Sequence, residues 1–360
     1  MGIGIEIHNL AKQLWGINRS ITGEGVRRTL DIIAKHIPSL KIHSVKTGTK
    51  VFDWTVPKEW HVNEAYIITP SGNRICDFTS NNLHLVGYSI PFNKIISLSE
   101  LQKHLYSLPD QSDAIPYITS YYKERWGFCI SDIERNQLEE GDYQVVIDSK
   151  LFDGVLNYGE LLIEGDSKDE VLLSSYVCHP SMANNELSGP TLLTFLAKWL
   201  SDLESRKYSY RIVLVPETIG SITYLSQHYE NLKKNVIAGF NISCVGDDRA
   251  FSYLPSRHGG TISDNVATHV LKWLAPEYIK YSWEDRGSDE RQYCAPGIDL
   301  PIASIMRSKF GEYPEYHTSL DDLINVVTPS GLEGGYLALK FALELIEKNE
   351  KLKVRVLCEP

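Results

Sequence analysis

The 360-residue sequence has no long hydrophobic run, no paired cysteine spacing and no excess of positive charge. No apolar stretch approaches the roughly 20 residues that a membrane-spanning helix needs, and the N-terminus lacks the basic and apolar segments of a signal peptide. The six cysteines are scattered, which excludes a zinc-finger spacing or a disulfide framework and favours a reducing compartment. The net charge of -10 disfavours a nucleic-acid surface. We therefore expect a cytoplasmic protein without a membrane or nucleic-acid partner.

The distribution of apolar residues predicts the fold class. After residue 143, short apolar runs alternate with amphipathic stretches at helical spacing. Such alternation predicts an α/β fold in which helices cover both faces of a mixed sheet. Residues 46–135 instead contain short β-prone pieces and Pro-punctuated turns. We interpret 46–135 as a small β-rich domain inserted into an α/β domain that comprises residues 1–45 and 136–360.

The segment from Cys178 to Pro190 is dense in metal-binding and proton-transferring side chains. It follows the apolar run 171–177 and precedes a second apolar run, 191–200, so the pattern predicts a strand, a turn and a helix. Ligands of open α/β sheets bind at the carboxyl ends of the strands. We therefore expect the functional site at this turn.

Four short blocks extend this pattern along the chain. They are His179 with Ala183-Asn184-Asn185, Pro216-Glu217-Thr218, Asn241-Ile242-Ser243, and Tyr316-His317-Thr318. In this order they resemble the co-catalytic zinc aminopeptidases and the related glutaminyl cyclases. The resemblance implies an aminopeptidase-like fold in which His179 and His317 bind metal and Glu217 is the general base. From the residues alone, each His could be a structural hydrogen-bonding group, and Glu217 could cap the following helix.

Three matched positions depart from the pattern of the two-zinc enzymes. Asn185 replaces the Asp that bridges the two ions, Thr218 replaces a Glu ligand, and Ser243 replaces an Asp ligand. A neutral amide and two hydroxyls are poor substitutes for charged or imidazole donors. We therefore expect one zinc ion, held by His179, His317 and an oxygen ligand. The candidates for that oxygen ligand are Asn185, Glu217, Glu186, Asp247, Asp289 and Glu290.

Longer segments are similar to a narrower group, the aminopeptidase-like proteins of unknown function that are associated with polysaccharide biosynthesis. These segments are Phe52–Trp60, Ile115–Tyr117, Trp126–Cys129, Pro216–Ser221, Ser288–Tyr293 and Tyr316–Ser319. The resemblance covers essentially the whole chain and implies the same fold throughout.

Further residues are candidates for substrate binding. The resemblance places Asp289, Glu290 and Arg291 near the metal pocket, although the same run could be a solvated helix start. Arg307 could bind a substrate carboxylate through two hydrogen bonds, or could pair with Asp289 or Glu312. The aromatic cluster 117–128 predicts either a platform over the pocket or the core of the inserted domain.

The combined prediction is a zinc-dependent hydrolase that cleaves an amide bond of a small peptide or of an amide-bearing sugar. The alternative is a catalytically inactive relative that binds a glycan precursor or a partner protein in the same cleft. Self-association into a homo-oligomer is left open.

Overall fold

A computed structural model of the protein describes residues 2–350. Its α-helices are α1 (Ile3–Leu14), α2 (Glu24–Ala34), α3 (Leu98–Leu101), α4 (Asp132–Asn136), α5 (Ser188–Asp202), α6 (Ile219–Asn235), α7 (Ile262–Leu274), α8 (Glu290–Tyr293) and α9 (Pro329–Lys348). Its first eight strands are β1 (Lys41–Lys46), β2 (Lys50–Val51), β3 (Trp54–Thr55), β4 (Glu59–Ile68), β5 (Arg74–Ile75), β6 (Phe92–Ser97), β7 (Leu105–Tyr106) and β8 (Phe128–Cys129). The remaining strands are β9 (Asp142–Phe152), β10 (Val155–Ile163), β11 (Glu170–Tyr176), β12 (Ser209–Val215), β13 (Val236–Asn241), β14 (Ser252–Leu254), β15 (Ile279–Lys280) and β16 (Ile302–Met306).

An eight-stranded mixed sheet forms the centre of the molecule. Its strand order is β1-β10-β12-β11-β13-β16-β14-β15. The neighbours β12, β11, β13 and β16 run parallel. The pairs β1-β10, β10-β12 and β16-β14 are antiparallel, and the pair β14-β15 is parallel. Every residue of β11 and β12 is buried, as expected of parallel strands covered on both faces.

Alternate side chains of the central strands enter two separate cores. Val171 and Leu173 pack into a cluster with α1, α5, α7 and α9, whereas Leu172 packs into a cluster with α6 and α8. Successive side chains of a strand point to opposite faces, which explains this division. The predicted α/β class, with helices on both faces of a mixed sheet, is confirmed.

A second, four-stranded sheet has the order β5-β4-β9-β6. Three of its strands lie within the predicted insertion, but β9 begins at Asp142, beyond the predicted boundary at residue 135. Strand β9 leads directly into β10 of the large sheet. Buried residues of both sheets, such as Ile147 and Val213, belong to one cluster. The division into two domains stays a prediction, and the small sheet extends past its proposed end.

Local features agree with the periodicity of the sequence. The apolar run 191–200 lies inside α5, and the run 171–177 coincides with β11 and the residue that follows it. The segment 18–23 forms the turn between α1 and α2. None of the helices in residues 2–350 is long and apolar enough to cross a bilayer.

Candidate active site

The predicted site residues meet at the carboxyl edge of the parallel strands. His179 follows β11, Glu217 follows β12 and Ser243 follows β13, while His317 lies in the loop after β16. These strands are neighbours in the sheet, so residues more than 100 positions apart in sequence come together. The ring centres of His179 and His317 are 5.7 Å apart.

His179 is buried and held at one side of its ring by Glu186. Oε2 of Glu186 accepts the backbone N–H of His179 at 3.0 Å and lies 3.1 Å from its Nδ1. On the other side, Nε2 lies 3.7 Å from Oε2 of Glu217. Burial lowers the pKa of His179, but the hydrogen bond to Glu186 and the negative charge of Glu217 outweigh it, so the pKa is raised.

His317 lies in a different environment. Its ring stacks on Tyr316 with the ring centres 3.9 Å apart, and its backbone adopts a positive φ of 58°. Its Nε2 is buried and has no hydrogen-bond partner within residues 2–350. Burial, with the nearby charge of His179, lowers the pKa of His317 to about 3. The imidazole is therefore neutral at pH 7, which is the form that binds a metal ion.

Glu217 extends towards His179 rather than capping the following helix. Its Oε1 accepts a hydrogen bond from the Ser288 hydroxyl at 2.8 Å, and burial raises its pKa. The start of α6 is instead bound by Asp289, whose Oδ1 accepts hydrogen bonds from the Thr218 amide and the Ser221 hydroxyl, each at 2.8 Å. The helix-cap interpretation of Glu217 is thus wrong, and Asp289 takes that role.

The acidic residues of the Ser288–Tyr293 run are turned inward. Asp289 is completely buried, its Oδ2 has no partner in the described chain, and burial beside Glu217 raises its pKa to about 8. Glu290 is also buried and accepts hydrogen bonds from the amides of Gly287 and Ser288 and from the Asn241 side chain. Neither carboxylate lines the pocket described below. Both therefore organise the loop around Glu217, and contact with substrate stays a prediction for them.

The two arginines of the predicted site behave differently from each other. Arg291 is exposed and donates to the Thr218 hydroxyl at 2.8 Å, close to the entrance of the site. The guanidinium of Arg307 is stacked 3.9 Å above the ring of Phe251 and is not among the pocket-lining residues. No salt bridge joins Arg307 to Asp289 or Glu312 within residues 2–350. The structure thus brings Arg291 to the site and holds Arg307 away from it.

Asn185 and Ser243 stand where the resemblance to the two-zinc enzymes implies carboxylate ligands. The backbone amide of Asn185 donates to Asp321, and Tyr176 donates to its backbone and side-chain oxygens at 2.6 and 3.1 Å. The Asn185 side-chain nitrogen and the Ser243 hydroxyl are buried and have no partner in the described part of the chain. These atoms and Nε2 of His317 are polar groups that a bound ligand would satisfy.

These residues fit one metal ion better than two. Two imidazoles and one oxygen donor make a three-residue set of the kind that holds catalytic zinc. A second ion would need carboxylates at positions 185, 218 and 243, where the chain has an amide and two hydroxyls. The binding of a single ion therefore stays a prediction.

One further cluster has metal-ligand chemistry but is already satisfied by the protein. Ligand atoms of Cys178, His179 and Glu186 lie within 4.8 Å of one another. Arg19 stands 3.0 Å from Glu186, however, and burial raises the pKa of the Cys178 thiol well above its ordinary value. A protonated thiol and an ion-paired carboxylate are weak metal ligands. We therefore assign this cluster to the support of His179.

A pocket of about 280 Å³ opens beside His179 and Glu217. Its lining residues are Ile21, Trp54, Thr55, Pro57, Tyr117, Tyr121, Tyr122, Cys178, His179, Glu217, Thr218 and Ile219. Three tyrosines of the aromatic cluster therefore form a pocket wall, whereas Trp126 and Phe128 of the same cluster are buried in the core. Both interpretations of the cluster hold, each for different residues.

One residue of the site, Arg19, was not predicted from the sequence, and the role of Glu186 beside His179 was not predicted either. Arg19 was part of a segment interpreted only as a turn, and Glu186 was one of several candidates for the oxygen ligand. The sequence offered one indication of the role of Arg19, namely an Arg in a turn that precedes an amphipathic helix. This indication is weak when the acidic partner of the Arg is unknown. Their pairing spans 167 positions and becomes visible only in the folded chain.

Comparisons with known proteins identify the family and the fold. The profile of the family described as "Domain of unknown function (DUF4910)" matches residues 8–349. A protein of Clostridium acetobutylicum is 48% identical over 99% of this chain and 81% of its own length, and its name combines polysaccharide biosynthesis with an aminopeptidase-like domain. A crystal structure from the same organism, named as a peptidase, superimposes with a TM-score of 0.95 at 48% identity, covering 99% of this chain and 84% of that one.

More distant solved structures share the fold. A zinc aminopeptidase from Bacillus subtilis has a TM-score of 0.70 at 12% identity and covers 97% of this chain and 96% of its own. A glutaminyl cyclase from Porphyromonas gingivalis has a TM-score of 0.55 at 9% identity, with 95% of this chain and 98% of that one covered. The resemblance to aminopeptidases and glutaminyl cyclases is thereby confirmed at the level of the fold.

Proposed function

Because this chain belongs to the DUF4910 family and has the fold of the zinc aminopeptidases, we propose that it is a zinc-dependent hydrolase that cleaves an amide bond. One observation carries the proposal. Nε2 of His179 and Nε2 of His317, which has no hydrogen-bond partner among residues 2–350, lie in one buried region beside the carboxylate of Glu217. Two imidazoles next to a carboxylate are a common setting for catalytic zinc.

We assign His179 and His317 as ligands of a single ion, with Asn185 as the candidate oxygen ligand. Zinc, when bound there, supplies Lewis-acid polarisation of an amide carbonyl and a lower pKa for a water molecule. The Asn185 side chain would turn its oxygen to the ion, because Tyr176 can keep its hydrogen bond to the Asn185 backbone carbonyl. Glu217 then remains free to act as the base.

Glu217 is suited to moving a proton. Its Oε1 is fixed by the Ser288 hydroxyl, which leaves Oε2 directed towards His179. Burial raises the pKa of Glu217, and a carboxyl group whose pKa is closer to neutrality both accepts and returns a proton more readily. Glu217 would therefore take a proton from water and deliver it to the departing amine.

The pocket favours a small substrate with an apolar or ring-shaped group. Its lining residues include one carboxylate and four aromatic rings, and none of them is Lys or Arg. Tyr and Trp rings suit the faces of sugars and apolar side chains. An anionic group would meet no Lys or Arg side chain in this lining. The chemistry supports a small peptide or an amide-bearing sugar, and the polysaccharide-related name of the Clostridium relative favours the sugar.

The first experiment is elemental mass spectrometry on untagged protein purified without chelator. We expect about one zinc per chain in the wild type and a loss in both His179→Ala and His317→Ala, since three protein ligands normally hold a catalytic zinc. His269→Ala is the matched control, because His269 is exposed on α7. A screen of aminoacyl amides and N-acylated amino sugars would follow.

The outcomes separate the two candidate functions. Zinc in the wild type, lost in both site variants and retained in the control, supports the hydrolase. A protein that remains free of zinc after zinc is supplied would overturn the proposal. The catalytically inactive binding protein would then be the better description.

A further inference from the structure

A buried ion pair lies directly behind the candidate metal ligands. Nε of Arg19 is 3.0 Å from Oε1 of Glu186, and both side chains have no exposed surface. Charges buried to this degree cost several kcal/mol each to remove from water, so a buried pair adds little net stability. A structural role in stability alone is therefore a weak explanation for this pair.

Arg19 also ties the N-terminal turn to the turn that carries His179. Its Nε–H is directed at the carbonyl oxygen of His179, at 2.9 Å, so its attraction to Glu186 is electrostatic rather than a well-aligned hydrogen bond. Its Nη2 is 3.4 Å from the carbonyl oxygen of Pro180, and Nη1 donates to that of Leu14 at 2.8 Å. One guanidinium thus fixes two consecutive carbonyls of the site turn to α1.

Glu186 passes this constraint to the imidazole. Its Oε2 accepts the backbone N–H of His179 and lies within hydrogen-bond distance of Nδ1. A carboxylate only accepts hydrogen bonds, so Nδ1 carries the proton in this contact. A neutral His179 then has its lone pair on Nε2, the atom that faces Glu217 and the pocket.

We propose that Arg19 and Glu186 are positioning residues that hold His179 as the Nδ1–H tautomer, with Nε2 presented to the pocket. The positive charge of Arg19 offsets the negative charge of Glu186. The hydrogen bonds from Arg19 to the carbonyl oxygens of His179 and Pro180 fix the turn. The tautomer does not depend on zinc, whereas the consequence for zinc affinity rests on the proposed function. Partners of this kind typically alter metal affinity by about 10–100-fold.

The test is a long-range ¹H–¹⁵N NMR spectrum of zinc-free protein labelled with ¹⁵N-histidine, with the His179 signals identified by their loss in His179→Gln. In the wild type, we expect the neutral form of the His179 ring to carry its proton on Nδ1 and to have no proton on Nε2. In Glu186→Gln, the new amide can donate to Nδ1, so we expect a shift towards the Nε2–H tautomer. Arg19→Met should give a mixture of tautomers. Arg19→Lys keeps the positive charge but cannot reproduce the three carbonyl hydrogen bonds of the guanidinium, so we expect a pattern between those of the wild type and Arg19→Met.

Glu170→Gln is the matched control. It breaks another buried Arg–Glu pair, Arg211 with Glu170, at the opposite end of β11. We expect this variant to lose stability while the His179 signals stay unchanged. If the His179 signals also shifted in the control, the shifts in the Glu186 and Arg19 variants would be explained by general destabilisation, and the inference would be overturned.

Other results would contradict the inference while leaving the hydrolase proposal intact. The inference would be overturned if both Glu186→Gln and Arg19→Met gave the His179 signals of the wild type. It would also be overturned if the wild type itself had the Nε2–H tautomer, a measurement that does not depend on the folding of any variant. Zinc titration makes the two failures distinguishable. Zinc binding with unaltered tautomers refutes the positioning role, whereas the expected tautomers without any zinc binding refute the hydrolase alone.

Discussion

Glu217 is the residue on which the proposed chemistry depends most directly. We predict that Glu217→Gln retains zinc, because the two imidazoles are unchanged, but reduces amide hydrolysis about 10²–10⁴-fold, the usual contribution of a general base. Rates on a substrate from the amide screen and zinc content of the same preparation check this. Glu312→Gln, which alters a half-exposed carboxylate, should leave both unchanged. A rate within a few-fold of the wild type would exclude Glu217 as the base.

The buried carboxyl group of Asp289 should make the free energy of unfolding depend on pH. Burial beside Glu217 raises its pKa to about 8 in the folded chain, well above the ordinary value of 3.8. The folded state therefore binds this proton more tightly than the unfolded state does. The free energy of unfolding therefore falls as pH rises from about 4 to about 8. We predict that Asp289→Asn, which keeps an acceptor for Thr218 and Ser221, removes much of this fall.

Urea unfolding of the zinc-free protein at about pH 5 and about pH 8.5 measures the difference. The wild type should lose more stability between the two values than Asp289→Asn does. Parallel profiles for the two proteins would contradict the assignment of this dependence to Asp289.

At the scale of the element, the start of α5 is fixed by close contact with neighbouring strands. A Cβ atom on Gly189 would lie 2.4 Å from the carbonyl oxygen of Ile242 and 2.4 Å from the Ser175 hydroxyl. We predict that Gly189→Ala lowers the free energy of unfolding by about 1–3 kcal/mol, as overpacking does. It should also weaken zinc binding, because α5 follows directly after Asn185 and Glu186.

Thermal or urea unfolding, together with a zinc titration, checks both effects of Gly189→Ala. Gly16→Ala is the control, because a Cβ there has open space around it. Unchanged stability in Gly189→Ala would show that α5 can move away from β13 without cost. Lower stability with unchanged zinc affinity would show that the site turn is independent of the helix.

Elements and site residues differ in how well the sequence predicts them. Periodicity identifies β11 and α5 because burial of a strand or helix face leaves a local pattern. The motif blocks identify His179 and Glu217, since parallel strands bring their carboxyl ends to one edge. The pairing of Arg19 with Glu186 has no local pattern, because it depends on how α1 packs against the sheet. The contact of Asp289 with the start of α6 likewise leaves no local pattern, because it joins residues 71 positions apart.

At the scale of the whole molecule, the pocket lies where the segment 46–135 meets the carboxyl edge of the large sheet. Trp54 belongs to β3 of the two-stranded β2-β3 sheet, Tyr121 and Tyr122 lie in the loop before β8, and His179 and Glu217 directly follow strands of the large sheet. Because Trp60 and Ile147 pack in one cluster with Val213 and Ile219, the aromatic wall and the carboxyl edge of the large sheet are held together by a common core. The aromatic wall is therefore suited to selecting substrates, and the edge of the sheet to the chemistry.

Because the aromatic wall and the edge of the sheet are separate, substitutions in the wall should change KM without changing kcat. Trp54 and Tyr122 pack edge to face at 5.7 Å. Tyr122 is 79% exposed, so its ring can be removed with little cost to the core, whereas Trp54 is partly buried against the core. We predict that Trp54→Ala and Tyr122→Ala raise KM up to about tenfold, the value of one aromatic contact, while zinc content and kcat stay near those of the wild type. Trp273→Ala, which removes an exposed ring on α7 away from the pocket, should change neither constant. Equal KM values in all four proteins would place the substrate elsewhere, whereas a fall in kcat would show that the wall also orients the reacting group.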